Sequence, residues 1–361
     1  MTPGLLALVL LGASYTAAAC PICLGAGQPT RAQELVSAQQ VALAVPTANE
    51  GRFRIVQTIK GERPSSSVVE GGQPRRGAGP DASLPTGKPL LLARSDPFPS
   101  WVILGQVDAG RSDWLRKLAA GKPAAAMSDE DWRSRVALVV PYLENSEPLV
   151  AELAYGELAA APYAAMRTAK SQLDARAIRA WLAQPKLGDR QRLYTLLLGL
   201  AGNAQDAAAL EQRLEAAWRS GDATNLASML AADLELRGVE RMTWMDEKYL
   251  VDRARSTPEI AAALQALSVH GSAGGVIPRE RVIRSYRKFM KAHPEIAGYV
   301  APDLATWQYW DAVPEYVALM KSDVQQQLPS RLATLAYLRQ SPSAEAREFA
   351  TRTPVLPGPR K

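Results

Sequence analysis

Histidine and cysteine are nearly missing from this chain, with two of each in 361 residues. That scarcity excludes most metal chemistry. His270 and His293 do not have the short helical spacing of a two-histidine metal site. Cys20 and Cys23 are half of a four-thiolate zinc shell, and there is no second pair. A covalent haem would need histidine directly after Cys23, where Leu24 stands. A G-x-S-x-G nucleophile elbow is absent too. Gly79 and Gly87 are too far apart for a phosphate loop, and Pro89 follows Lys88 where Ser or Thr is needed. No cofactor is implied. Phenylalanine is scarce, at four residues, and no run of like charges is long enough to form a disordered tail. The net charge of +6 is spread along the chain and specifies no partner by itself.

Long apolar runs are also missing. LLALVLLGA, residues 5–13, is too short for a membrane-spanning helix, which needs about 20 residues. It matches the core of a secretory signal peptide, and Ala17, Ala18 and Ala19 are the small residues a signal peptidase takes. The preceding MTPG lacks the usual basic residue. We expect residues 1–19 to be a signal peptide and the protein to be exported: periplasmic, secreted or envelope-associated. Cleavage after Ala19 makes Cys20 the first mature residue. The stretch AAACPICLG then allows a Cys20–Cys23 disulfide, which suits an oxidising compartment. It also allows lipidation of Cys20, although Ala17 stands where the lipoprotein box has leucine, or a thioredoxin-like C-P-x-C redox site. A membrane contact is expected only if Cys20 is lipidated.

Residues 20–111 read as β. QVALAV (40–45) is a short apolar run, and RFRIVQTIKG (52–61) places Phe53, Ile55 and Ile59 on one face. SSVVEGG, KPLLLARS and SWVILGQVD are further strands, and the Pro/Gly-rich stretch 70–87 reads as loop, with Arg75 and Arg76 solvated. Four or five short strands suggest a small antiparallel barrel. The cysteine motif, AQQVALAV and FRIVQTIKG together resemble the netrin-like, oligonucleotide-binding-type barrels found in tissue inhibitors of metalloproteases. That resemblance implies an amino terminus held against the barrel by disulfides to later cysteines, which this chain does not have.

Beyond residue 112 the period changes to 3.6. After a linker or helix at 112–127, Ser128 and Asp131 form a capping-box start. Trp132, Val136, Val139, Val140 and Leu143 follow on one face. Helices are expected at 175–185, 189–203, 206–218, 224–237, 258–269, 278–291, 303–320 and 328–351, with Gly202 and Asn203 as a stop. Hairpins with Asn145, Asn203 or Asp311 at the turn resemble HEAT-type α-solenoid repeats over residues 128–350. Residues 351–361 read as a flexible tail. The expected fold class is thus α+β: a small barrel-like β domain followed by an α-solenoid.

His270 before GSAGG reads as a helix end, as does His293. In PRERVIRSYRKFMKAH, Val282, Tyr286, Phe289 and Met290 form an apolar stripe, while Arg281, Arg284, Arg287, Lys288 and Lys291 gather elsewhere on the helix. These cations are the contact candidates for an anionic partner. Trp307, Tyr309 and Trp310 are candidates to line a groove. The functional expectation is an exported, non-enzymatic interaction or scaffold module that binds protein through the solenoid surface. The alternatives are a thiol–disulfide oxidoreductase using Cys20 and Cys23, and a lipid-anchored envelope scaffold. Nucleic acid is not expected as a partner.

Overall fold

The computed structural model describes residues 20, 22–23, 30–74, 87–95, 98–273, 275–322, 324 and 327–355. Residues 1–19, where a signal peptide is expected, Arg75, Arg76 and residues 356–361 lie outside them. The chain is α+β and mostly helical, with one small five-stranded sheet near the amino terminus.

Helix α1 (Arg31–Ser37) starts at Thr30, whose side chain accepts from the Gln33 amide while Gln33 reaches back, a reciprocal capping box. Strands β1 (Gln40–Pro46), β2 (Arg52–Lys60), β3 (Val68–Pro74), β4 (Leu90–Ser95) and β5 (Phe98–Gln106) follow. Their order is β1-β2-β3-β5-β4, and β4 pairs back onto β1, so the ladder returns on itself. The pairing of β3 with β5 is parallel and the others are antiparallel, which corrects the all-antiparallel expectation. β3 also runs through Pro74, into the stretch that reads as loop.

Residues 41–44 of β1 and 90–93 of β4 are apolar and buried because both faces of the sheet are covered there. Ala42, Ala44, Leu90 and Leu92 turn into a small inner cluster with Phe53, Val69 and Trp101. Val41, Leu43, Leu91 and Ala93 belong to the large core shared with the helices. Gly71 makes the β3–β5 approach possible: its φ is +131°, and a Cβ there would lie 2.9 Å from the Trp101 nitrogen.

The first helices clamp the sheet. α2 (Ser112–Ala119) packs on β2 and α1, while α3 (Asp129–Val139) and α4 (Pro148–Ala160) pack together, and α4 reaches α1 and β5. Ser128 and Asp131 do form the capping box of α3. Gly121 carries no Cβ because the Arg135 guanidinium occupies that space, 1.1 Å from where it would sit. Arg135 forms a buried ion pair with Glu157, at 2.9 Å.

The remaining helices are α5 (Tyr163–Thr168), α6 (Ala175–Leu182), α7 (Gln191–Ala201), α8 (Ala204–Ser220), α9 (Leu226–Arg237), α10 (Met242–Met245), α11 (Thr257–Ala273), α12 (Arg279–Ala292), α13 (Ala301–Thr306), α14 (Val313–Lys321), α15 (Leu328–Gln340) and α16 (Ala344–Arg352). A π-helical turn, Asp246–Leu250, follows α10. Packing runs mainly between adjacent and next-but-one helices: α7 on α9, α9 on α11, α11 on α12, then α13 on α15 and α15 on α16. α5 departs from this order and packs on α3 and α11.

Several local expectations change. Asn203 does not simply stop α7; it caps α8 in a box with Asp206. The expected helix 303–320 is two, because α13 ends before Gln308, whose φ is +54°. The expected helix 328–351 is also two, since Ser343 caps α16. Arg331 donates to the Pro354 carbonyl, so the chain just past α16 is fastened rather than free.

His270 stands in the last turn of α11, near the helix end that the sequence suggests. It lies inside α11, fully buried, with Nε2 2.9 Å from the Ala231 carbonyl oxygen. Burial depresses its pKa below the ordinary 6.5, so it folds neutral. Glu235, with a carboxylate oxygen 3.9 Å from Nδ1, Arg167 and the Tyr163 ring face it. As pH falls through about 6.5, the unfolded chain gains a proton that the folded chain refuses. Stability present at neutral pH is therefore lost on acidification, by up to about 1.4 kcal/mol per pH unit from this group. Thermal unfolding should show a midpoint that falls from about pH 7 to about pH 5.5. A His270→Gln variant should lose that component, and an unchanged pH slope would assign it to other groups.

Candidate functional site

The expected cationic cluster is on α12. Pro278 precedes its first turn, and Val282, Tyr286, Phe289 and Met290 are buried against the core. The other side of the helix is set by a residue far away in sequence. Asp246, on the π-helical turn, is 1% exposed. It accepts from Arg281 Nη2 and from Lys288 Nζ, each at 2.8 Å, and from the buried Ser285 hydroxyl. Residues 281, 285 and 288 fall on one side of a helix, so a single carboxylate can collect all three.

This contact divides the five cations. Arg281 is largely buried and belongs to the Asp246 pair. Lys288 is paired at its ammonium, yet half of its side chain is exposed. Arg284, Arg287 and Lys291 are exposed and form no ion pair with the described residues. Their spacing of three and four places them in one row. The row is a set of solvated positive charges on a helix that cannot roll, because Asp246 holds one side and the core holds another.

The aromatic candidates do not share a groove. The Trp307 ring stacks on Tyr286, with centroids 5.6 Å apart and planes 10° apart, and Arg279 lies over its other side. Gly271 permits this, since a Cβ there would sit 2.5 Å from the Trp307 ring. Trp310 instead packs on Tyr337 of α15, whose hydroxyl donates to the Tyr309 carbonyl at 2.5 Å. All three rings are partly buried against the core, one group at α11–α12 and the other at α15.

Cys20 and Cys23 meet in a tight turn closed by the Cys23 amide on the Cys20 carbonyl. Their sulfurs are 2.7 Å apart, with the Cys23 thiol donating. The pair is packed against helices: Cys20 is within electrostatic reach of Tyr163 on α5, and Cys23 of Tyr155 on α4 and Arg192 on α7. Burial opposes ionisation of Cys20, but hydrogen bonds from Cys23 and the Ile22 and Cys23 backbone outweigh it and lower its pKa. Burial, and then the bond to Cys20, push Cys23 well above the ordinary thiol range. This asymmetry favours one attacking sulfur. Both residues are nevertheless at most 4% exposed.

Sequence reasoning missed Asp246. Its partners lie 35 to 42 residues later, and nothing in MDEKYL marks it as buried. Among the described residues no cluster of acids, histidines and cysteines could hold a metal ion, and no helix is long and apolar enough to cross a membrane. Comparison with protein-family models, with curated proteins and with solved structures finds no match.

The cysteine geometry yields a direct expectation. Protein made in an oxidising compartment, unfolded without reductant and alkylated, should take up no label at Cys20 or Cys23. After reduction it should take up two. Two labels before reduction would show that the pair is not bonded.

Proposed function

We propose that this chain is an exported, non-enzymatic interaction module whose helical half docks an acidic segment of a protein partner on α12. The row Arg284, Arg287 and Lys291 carries this reading: exposed cations, without acidic partners among the described residues, on a helix fixed by Asp246. The helix that carries the row is already fixed before binding, and a positive row attracts an anionic segment from a distance. The buried thiol pair supports a structural role for Cys20 and Cys23, as a disulfide, over an oxidoreductase or a lipid anchor.

Two finer readings of the fold go with this proposal. The returning strand order supports a netrin-like, oligonucleotide-binding-type barrel for the sheet. The successive packing of α7, α9 and α11 supports a HEAT-type solenoid for the helices, a scaffold that presents extended binding surfaces.

The test is retention on a polyanion resin. The parent chain should bind and elute at moderate salt, because exposed charges are screened beyond about 8 Å at physiological ionic strength. Arg284→Glu, Arg287→Glu and Lys291→Glu combined should abolish retention and leave far-UV circular dichroism unchanged. Elution of the triple variant at the parent's salt concentration would reduce the row to ordinary surface.

A further inference from the structure

The buried acids of the helical half are each paired with a cation, and the partly buried Asp303 is not. Glu157 pairs with Arg135, Asp206 with Arg179, Asp233 with Arg237 and Arg241, and Glu235 with Arg167. Asp246 pairs with Arg281 and Lys288, and Glu259 with Arg255. Each carboxylate taken out of water has a cation beside it, as the cost of burying a lone charge demands.

Asp303 forms no ion pair with the described residues. Its two oxygens accept only from neutral hydroxyls, Ser268 Oγ at 2.9 Å and Tyr286 OH at 2.5 Å. Burial raises its pKa, and no cation lowers it again. Each oxygen of a carboxylate has room for about two hydrogen bonds, so acceptor capacity is left over. The Ser268 and Tyr286 donors also fix the orientation of the carboxyl group. Tyr286 is itself held by the stacked Trp307 ring.

Asp303 opens onto a cleft of about 340 Å³ between α11, α13 with the turn before it, and α15. Leu264, Gln265, Ser268, Tyr299 and Ala333 line it with Asp303, and no arginine or lysine does. The volume is in the range of small-ligand sites. Leu332 is next to Ala333 on α15, and it and Leu328, one turn earlier, are 44% and 42% exposed. The cleft thus offers one acidic point and apolar walls. A calcium ion would need six to eight oxygens, and a single carboxylate with one nearby amide does not provide them.

We infer that this cleft binds an ammonium or guanidinium group carried on an alkyl stem, with Asp303 as its counter-ion. The group supplies from outside the cationic partner that Asp303 lacks among the described residues. The same chemistry can arrive as a free alkylamine or as a lysine or arginine side chain of a polypeptide. The site is separate from the α12 row and takes the opposite charge, so the two can fail independently.

Calorimetric titration of the full chain at neutral pH tests this with three probes: n-pentylamine, the acetylated and amidated tripeptide Leu-Lys-Leu, and hexanoate. Binding of either cation, without binding of hexanoate, is expected. Equal affinity for the two cations assigns the site to small amines, and a preference for the tripeptide assigns it to polypeptide side chains. Asp303→Asn should weaken cation binding at least tenfold, and so should Ala333→Leu, which fills the cleft from its rim. The Arg284, Arg287 and Lys291 triple variant should retain it. Silence of both cations, equal binding of hexanoate, or unchanged affinity in either cleft variant would overturn the inference. If Asp303→Asn does not fold, Ala333→Leu decides alone.

Discussion

The interaction on which the proposed binding surface of α12 depends is the buried Asp246 carboxylate. It sits on a π-helical turn and gathers Arg281, Ser285 and Lys288 from one side of α12. A carboxylate 1% exposed is costly unless it is matched in charge and in hydrogen bonds. Two cations and a hydroxyl provide that match. Removing one partner of such a buried pair typically costs about 3–5 kcal/mol. The consequence for function is geometric. With that side of α12 tied to Asp246 and the Tyr286–Phe289 side in the core, Arg284, Arg287 and Lys291 can only face solvent.

Similar contacts recur through the helical half and join different elements. Glu157 links α4 to Arg135 of α3, Glu235 links α9 to Arg167 and Tyr163 of α5, and Asp206 links α8 to Arg179 of α6. Apolar packing supplies most of the stabilisation, since leucine and alanine fill the interfaces. Leucine–alanine faces are poor at distinguishing one register from the next, and paired charges at fixed heights penalise a slip. The α5 contact has a further effect: by bridging α9 and α11 through Glu235 and His270, it covers part of the helix row that would otherwise be open.

The legible parts of the fold were those set by neighbours in sequence. Ser128 and Asp131 announced α3 because a capping box lies within four residues. The apolar stripe of α12 was readable at Val282, Tyr286, Phe289 and Met290 for the same reason. Ser343 was a readable cap that was passed over, so α15 and α16 merged into one expected helix. The rest depended on distant contacts. The parallel β3–β5 pairing needs Gly71 against Trp101. His270 reads as a helix end because glycines follow it, and it is in the last turn of α11, but its burial and the role of Gly271 in admitting Trp307 are set from elsewhere in the chain. The candidate cations were visible as a cluster. Which were free was not, because Asp246 and Lys288 are 42 residues apart.

Arg284, Arg287 and Lys291 are proposed to form one exposed binding row. Amide chemical-shift mapping of the isotopically labelled chain during titration with a short poly-glutamate peptide tests it most directly. The largest perturbations should fall on α12 between Arg284 and Lys291 and shrink as salt is added. Perturbations centred elsewhere, or none at α12 while binding is detected, would contradict it.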